Sequence, residues 1–66
     1  SQMDVDSERI MEKLKDYDGF LPYHDKSAPE EIREEFGMSK NEFKRAIGRL
    51  CKNRKITISS DGIRLV

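Results

Sequence analysis

Apolar residues recur along this chain in two rhythms. Up to about residue 53 they fall three or four apart, the spacing of a helical face, and from residue 56 they alternate, the spacing of a strand. Ile10, Met11, Leu14 and Tyr17 share one face and predict a first helix from about Ser7 to Tyr17. Asp6 or Ser7 is its expected cap, and Asp18-Gly19 its stop, with Gly19 in the left-handed conformation. Phe20-Leu21-Pro22-Tyr23 is short, aromatic and interrupted by proline, which predicts a brief edge strand. His24-Asp25-Lys26 is a polar loop. Ser27-x-x-Glu30 reads as a capping box with Pro29 in the first turn, opening a second helix in which Ile32 and Phe36 face inward and which Gly37 ends.

Only Met38 separates Gly37 from another capping box, Ser39-x-x-Glu42, which opens a third helix from about Lys40 to Asn53. Two capped helices joined by so short a connection must cross, which is the helix-turn-helix arrangement. Phe43, Ala46, Ile47, Leu50 and Cys51 form the apolar face of the third helix. Asn41, Lys44, Arg45, Gly48, Arg49 and Lys52 form the other. Ile56-Thr57-Ile58-Ser59 and Ile63-Arg64-Leu65-Val66 then alternate about Ser60-Asp61-Gly62, a hairpin whose Asp-Gly pair tolerates positive φ. The order helix, short strand, helix, helix, hairpin predicts a mainly α fold with a small β-sheet. It is a winged helix, a three-helix core closed by a C-terminal hairpin wing. The expected core is Ile10, Leu14, Phe20, Ile32, Phe36, Phe43, Ile47, Leu50, Ile56, Ile58, Ile63 and Leu65.

Sixty-six residues hold one domain, expected over residues 7–66, with 1–6 a disordered extension or cloning remnant. Charged residues are 39% of the chain and apolar ones 35%, a balance that leans toward disorder but is offset by zero net charge and by the periodicity. The single cysteine, Cys51, excludes an internal disulfide and any multi-cysteine zinc site, and suits a reducing, cytoplasmic setting. No apolar run approaches the roughly 20 residues that span a bilayer, so no membrane partner is expected.

Zero net charge hides an asymmetry. Residues 1–37 carry eleven carboxylates against five cations, and residues 38–66 carry eight cations against two carboxylates. A chain so polarised turns one side toward an anionic partner. The candidate nucleic-acid contacts are therefore Lys40, Asn41, Lys44, Arg45, Arg49 and Lys52 on the third helix, extended by Arg54, Lys55 and Arg64 at the hairpin. Lys and Arg would take phosphates, and Asn41, near the helix start, a base edge. Five such phosphate contacts give log K a slope of roughly −4 to −5 against log salt. Gly48 costs about 1 kcal/mol against alanine in a helix interior, and would let a phosphate or backbone approach the stripe closely. A charged stripe opposite an apolar one is also simply what a small water-exposed helix needs.

Other candidates carry less. His24 has no second His or Cys near it in sequence. Cys51 reads as a buried, inert thiol. Glu30-Glu31 and Glu34-Glu35 read as solvated charges, Glu30 and Glu31 favoured by the helix start. Met3, Met11 and Met38 are too scattered for a cofactor box. No enzyme, catalytic residue, metal site or cofactor is expected.

The run Gly19-Phe20-Leu21-Pro22 to Asp25-Lys26-Ser27-x-Pro29-Glu30-Glu31-Ile32 is distinctive. So are Phe36-Gly37-Met38-Ser39-Lys40-x-x-Phe43-Lys44-x-Ala46-Ile47-Gly48-x-Leu50 and Ile56-Thr57-Ile58 with Asp61-Gly62-Ile63-Arg64-Leu65. In this order they resemble the C-terminal winged-helix domain of the conserved virulence factor B family over residues 7–66. The resemblance implies a piece of a longer, cytoplasmic bacterial regulator of gene expression in which S1-type RNA-binding domains precede this module. It implies RNA as partner and contact with the S1-type domains of the same protein; with no extra dimerisation helix in the chain, the isolated domain is expected to be monomeric. It brings no residue-level contacts. Two other readings stand beside RNA binding: a protein-interaction module that docks on the S1-type domains or another partner, and a DNA-binding dimer.

Overall fold

The computed structural model describes residues 3–66. Helix α1 spans Val5–Asp16, strand β1 Phe20–Leu21, helix α2 Pro29–Phe36, helix α3 Lys40–Lys52, strand β2 Ile56–Ser59 and strand β3 Gly62–Leu65. The strands form one antiparallel sheet in the order β1-β3-β2, so the proline-limited β1 is an edge. This is the winged-helix architecture expected from the order of elements.

Helix α1 starts two residues earlier than its apolar rhythm suggests. Asp4 is the cap, its carboxylate accepting the Ser7 N–H at 2.7 Å, and Ser7 is itself buried. Residues 4–6 thus belong to the folded unit, contrary to a disordered extension over 1–6; residues 1 and 2 lie outside the described residues. Tyr17 is the C-cap and stands exposed rather than in the core. Asp18 takes the left-handed conformation before Gly19 does, with φ of 58°.

Helix α2 is capped otherwise than predicted. Ala28 occupies the cap position, and the Glu31 carboxylate accepts its N–H at 3.4 Å. Ser27 is spent on the preceding loop, where its hydroxyl accepts the His24 N–H at 3.0 Å. Gly37 then turns the chain with φ of 67°, and Ser39 and Glu42 form the expected capping box of α3. From Pro29 to Lys52 a straight helix would run about 36 Å, longer than the largest dimension of the domain, 29 Å. The chain therefore bends at Gly37-Met38-Ser39. Met38 is buried at that corner and joins the core.

The core gathers Ile10, Leu14, Ile32, Phe36, Phe43, Ala46, Ile47, Leu50, Ile56 and Ile63 around Phe43, which packs its ring 4.8 Å from that of Phe36. Leu21, not Phe20, is the buried residue of β1, because Leu21 lies in register with Ile63 on the inner side of the sheet. Ile58 and Leu65 are only partly buried at its margin. The hairpin turn is Ser60-Asp61, and neither residue has positive φ. Gly62 instead serves a close approach. A Cβ there would stand 2.1 Å from the Leu21 carbonyl oxygen and under 3 Å from the Phe20 ring.

Candidate nucleic-acid interface

Two cations of the acidic half are spent inside the fold. In the acidic half, Arg9 donates to the Phe36 carbonyl at 3.2 Å, and Lys13 donates to the Glu35 carbonyl at 2.6 Å while pairing with its carboxylate at 2.8 Å. Tyr23 Oη adds a hydrogen bond to the same carboxylate. These contacts satisfy carbonyls that the end of α2 leaves open and hold it against α1. The Lys13 ammonium holds the Glu35 carboxyl below its ordinary range.

In the basic half most cations are unspent. Lys40, Lys44, Arg45, Lys52, Arg54 and Lys55 pair with no carboxylate among the described residues. Asn41, Lys44, Arg45, Gly48, Arg49 and Lys52 are exposed and Lys40 is half-buried. Lys44 and Lys52 sit four residues to either side of Gly48, and Asn41, Arg45 and Arg49 make the adjacent row, so the helical repeat brings them onto one outward stripe. The lone acid of α3, Glu42, is turned to the helix start. The Ser39 N–H and hydroxyl hold its carboxyl below the ordinary carboxylate range.

Gly48 lies in the middle of this stripe, and a Cβ built on it would meet nothing within 4 Å. No packing among the described residues explains a glycine at this place. Its effect is external: it leaves a bare strip of helix backbone among four cations.

Arg54 lies just past the end of the helix and is exposed. It holds the left-handed conformation, φ 60°, at the position after the Asn53 cap. Its N–H reaches the Cys51 carbonyl at 3.0 Å, and the Lys55 N–H reaches Leu50 at 2.9 Å. This is the paired closure that glycine ordinarily provides, made here with an arginine. Cys51 is exposed, contrary to the buried thiol expected.

Two predicted contacts are already paired with carboxylates of the domain. Arg49 is tied to Asp4 at 2.5 Å across the mouth of a groove of about 390 Å³ that Asn53 and Lys55 also line. Hydrogen bonds from the Ser7 backbone and then from Arg49 hold the Asp4 carboxyl below its ordinary value. Arg64 is in register with Thr57 and Phe20 on the outer side of the sheet, away from the helices. It pairs with Asp61 at 3.2 Å and stands over the Phe20 ring, 4.4 Å from its centre. It does not continue the α3 stripe.

His24 organises its own loop, its Nδ1 accepting the Lys26 N–H at 3.1 Å. Among the described residues no three His, Cys, Asp or Glu side chains gather as metal ligands, and no helix is long and apolar enough to cross a membrane.

Comparison with known proteins adds three findings. The family model of the CvfB-like winged helix domain matches residues 8–65. Conserved virulence factor B of Staphylococcus saprophyticus is 55% identical over 64 residues, and that of Staphylococcus aureus strain MRSA252 is 50% identical; each alignment covers 97% of this chain. This chain spans about a fifth of those relatives, 21% of their length. Among solved structures, a multidomain protein with nucleic acid binding domains from Streptococcus pneumoniae superposes with a TM-score of 0.95 and 36% identity, over the whole of this chain and 23% of its own.

Proposed function

From its membership in the CvfB-like winged helix family, we propose that this chain is a nucleic-acid-binding module directed to RNA, which grips phosphates along the outward stripe of α3. The observation that carries this reading is Gly48. It weakens the helix, it serves no internal contact, and it bares backbone amid Lys44, Arg45, Arg49 and Lys52. A phosphate strand can approach that strip more closely than any side chain would permit. The similar solved protein is itself described as carrying nucleic acid binding domains. The role is binding, not catalysis, within a longer cytoplasmic regulator whose S1-type domains lie beside it.

RNA is favoured over a palindromic DNA site because the domain is half acidic. Glu30, Glu31 and Glu34 stand exposed on α2, the helix that would flank a duplex backbone. A single strand needs only the narrow α3 stripe.

The test is titration of a labelled single-stranded RNA at low salt against the chain and its Lys44→Glu, Arg45→Glu, Lys52→Glu triple variant. Arg49 is left alone because Asp4 holds it. Binding should fall by at least tenfold, and the parent should show a log–log salt slope of roughly −3, about 0.7 for each phosphate met by Lys44, Arg45, Lys52 and Arg54. Unchanged affinity in the triple variant overturns the assignment.

A further inference from the structure

The outer side of the sheet carries a second assembly that the α3 stripe does not use. Phe20 lies across Gly62, which accommodates the ring only because it has no side chain. The Arg64 guanidinium stands over that ring, oriented by Asp61, and is half exposed. Beside them opens a groove of about 500 Å³ lined by Lys15, Asp18, Gly19, Phe20, Arg64 and Leu65. Lys15 and Asp18 take part in no ion pair among the described residues. Asp18 is held at the rim in a left-handed conformation by the closure of α1, where the Gly19 N–H bonds the Leu14 carbonyl at 2.7 Å.

The charges here select the occupant. Asp18 and Asp61 offset Lys15 and Arg64, so a phosphate gains little. An apolar peptide side chain would leave Lys15 and Asp18 unanswered. A neutral flat ring with donors and an acceptor along one edge answers all of them. Its face stacks on the aromatic–guanidinium pair, the carboxylate accepts from its donors, and the ammonium donates to its acceptor. Guanine has that edge, with N1–H and the N2 amino group beside O6. Adenine sets a single donor group, N6, beside its acceptor, so the carboxylate takes one hydrogen bond from it where guanine gives two from N1–H and N2.

We propose that the Phe20–Arg64 pair is a stacking site for one unpaired base of the bound RNA, and that Asp18 and Lys15 make it prefer guanine. The inference rests on the RNA reading and adds to it a single-strand preference and a base preference, located on the opposite side of the sheet from α3.

The experiment compares heptamers of uridine carrying one central guanosine, inosine or adenosine, titrated into this 66-residue chain. Guanosine should bind best, with inosine, which lacks the N2 amino group, between it and adenosine. Phe20→Leu keeps an apolar residue over Gly62 but removes the stacking face, and should lower affinity about tenfold. Asp18→Asn keeps a residue at home in the left-handed conformation and should leave the fold untouched while erasing the guanosine preference. Equal binding of the three heptamers, or a preference that survives Asp18→Asn, overturns the proposal. So does Phe20→Leu binding like the parent. If the α3 triple variant loses affinity while these two variants do not, the stacking site alone fails. If the triple variant binds like the parent while Phe20→Leu lowers affinity and Asp18→Asn erases the guanosine preference, the phosphate reading fails and the stacking site stands.

Discussion

Arg49 and Asp4 meet at 2.5 Å although 45 positions separate them in sequence, so the start of α1 is fastened to the late turns of α3. Asp4 performs two tasks at once, since its other carboxylate oxygen caps α1 through Ser7. Asp4→Asn should therefore act in opposite directions on two observables. The amide still accepts a hydrogen bond at the cap, but the ion pair is gone and the melting midpoint falls by a small amount. Arg49 is released to the α3 stripe, and affinity for single-stranded RNA at low salt rises severalfold. Circular dichroism melts and fluorescence anisotropy measure the two. A variant that binds no better than the parent removes Arg49 from the interface.

Gly48 offers a similar separation of stability from binding. Gly48→Ala adds a methyl into open space and should stabilise the domain by about 0.5–1 kcal/mol in urea unfolding. Gly48→Glu should retain most of the gain in helix propensity yet weaken RNA binding by more than tenfold, through both bulk and charge. If the glutamate variant binds as well as the alanine variant, the bare backbone strip has no partner.

Arg54 is a second position at which the domain forgoes stability. A left-handed arginine costs about 1 kcal/mol relative to glycine at the same place. Arg54→Gly should raise the free energy of unfolding by about that much and reduce RNA affinity a fewfold, flattening the salt slope by about 0.7. A variant with greater stability and an unaltered salt slope assigns Arg54 to the helix end only.

The elements themselves were legible in the sequence because each carried redundant signals. The Ser39–Glu42 box, the four-then-three spacing of Phe43, Ile47 and Leu50, and the glycine at Gly37 all specify the same corner. What misled was local and had physical causes. Strand β1 has two residues, too few for an alternation to be read, so only pairing with Ile63 decides that Leu21 is buried and Phe20 is not. The start of α1 offers three residues able to cap, Asp4, Asp6 and Ser7, and Asp4 is the one that also pairs with Arg49, which is remote in sequence. Ser27 has the cap chemistry but is recruited by the His24 loop. Met38 looked like one of three scattered methionines until the corner enclosed it. The α3 stripe follows from helical spacing alone. That Arg64 leaves the stripe for Phe20 depends on strand register, which spacing does not contain.

Acid should loosen the fold in a defined window. Asp4, Glu35, Glu42 and Asp61 all have carboxyls held below their ordinary values of 3.8 for aspartate and 4.5 for glutamate. Asp61 is lowered most, to about 2, by the Ser59 hydroxyl and then by Arg64. Between the folded and unfolded values the unfolded chain binds more protons, so stability rises with pH there. The contribution is complete above about pH 5 and drains away as the pH falls through 4 toward 2. Asp61→Asn isolates one share of it. Near pH 7 the variant should melt below the parent, because the hairpin turn has lost its anion. As the pH falls below 3.8 the parent should lose that advantage and the two melting curves should converge near pH 2. Midpoints that stay equally separated from pH 7 to pH 2 would show that the Asp61 contacts do not depend on its charge.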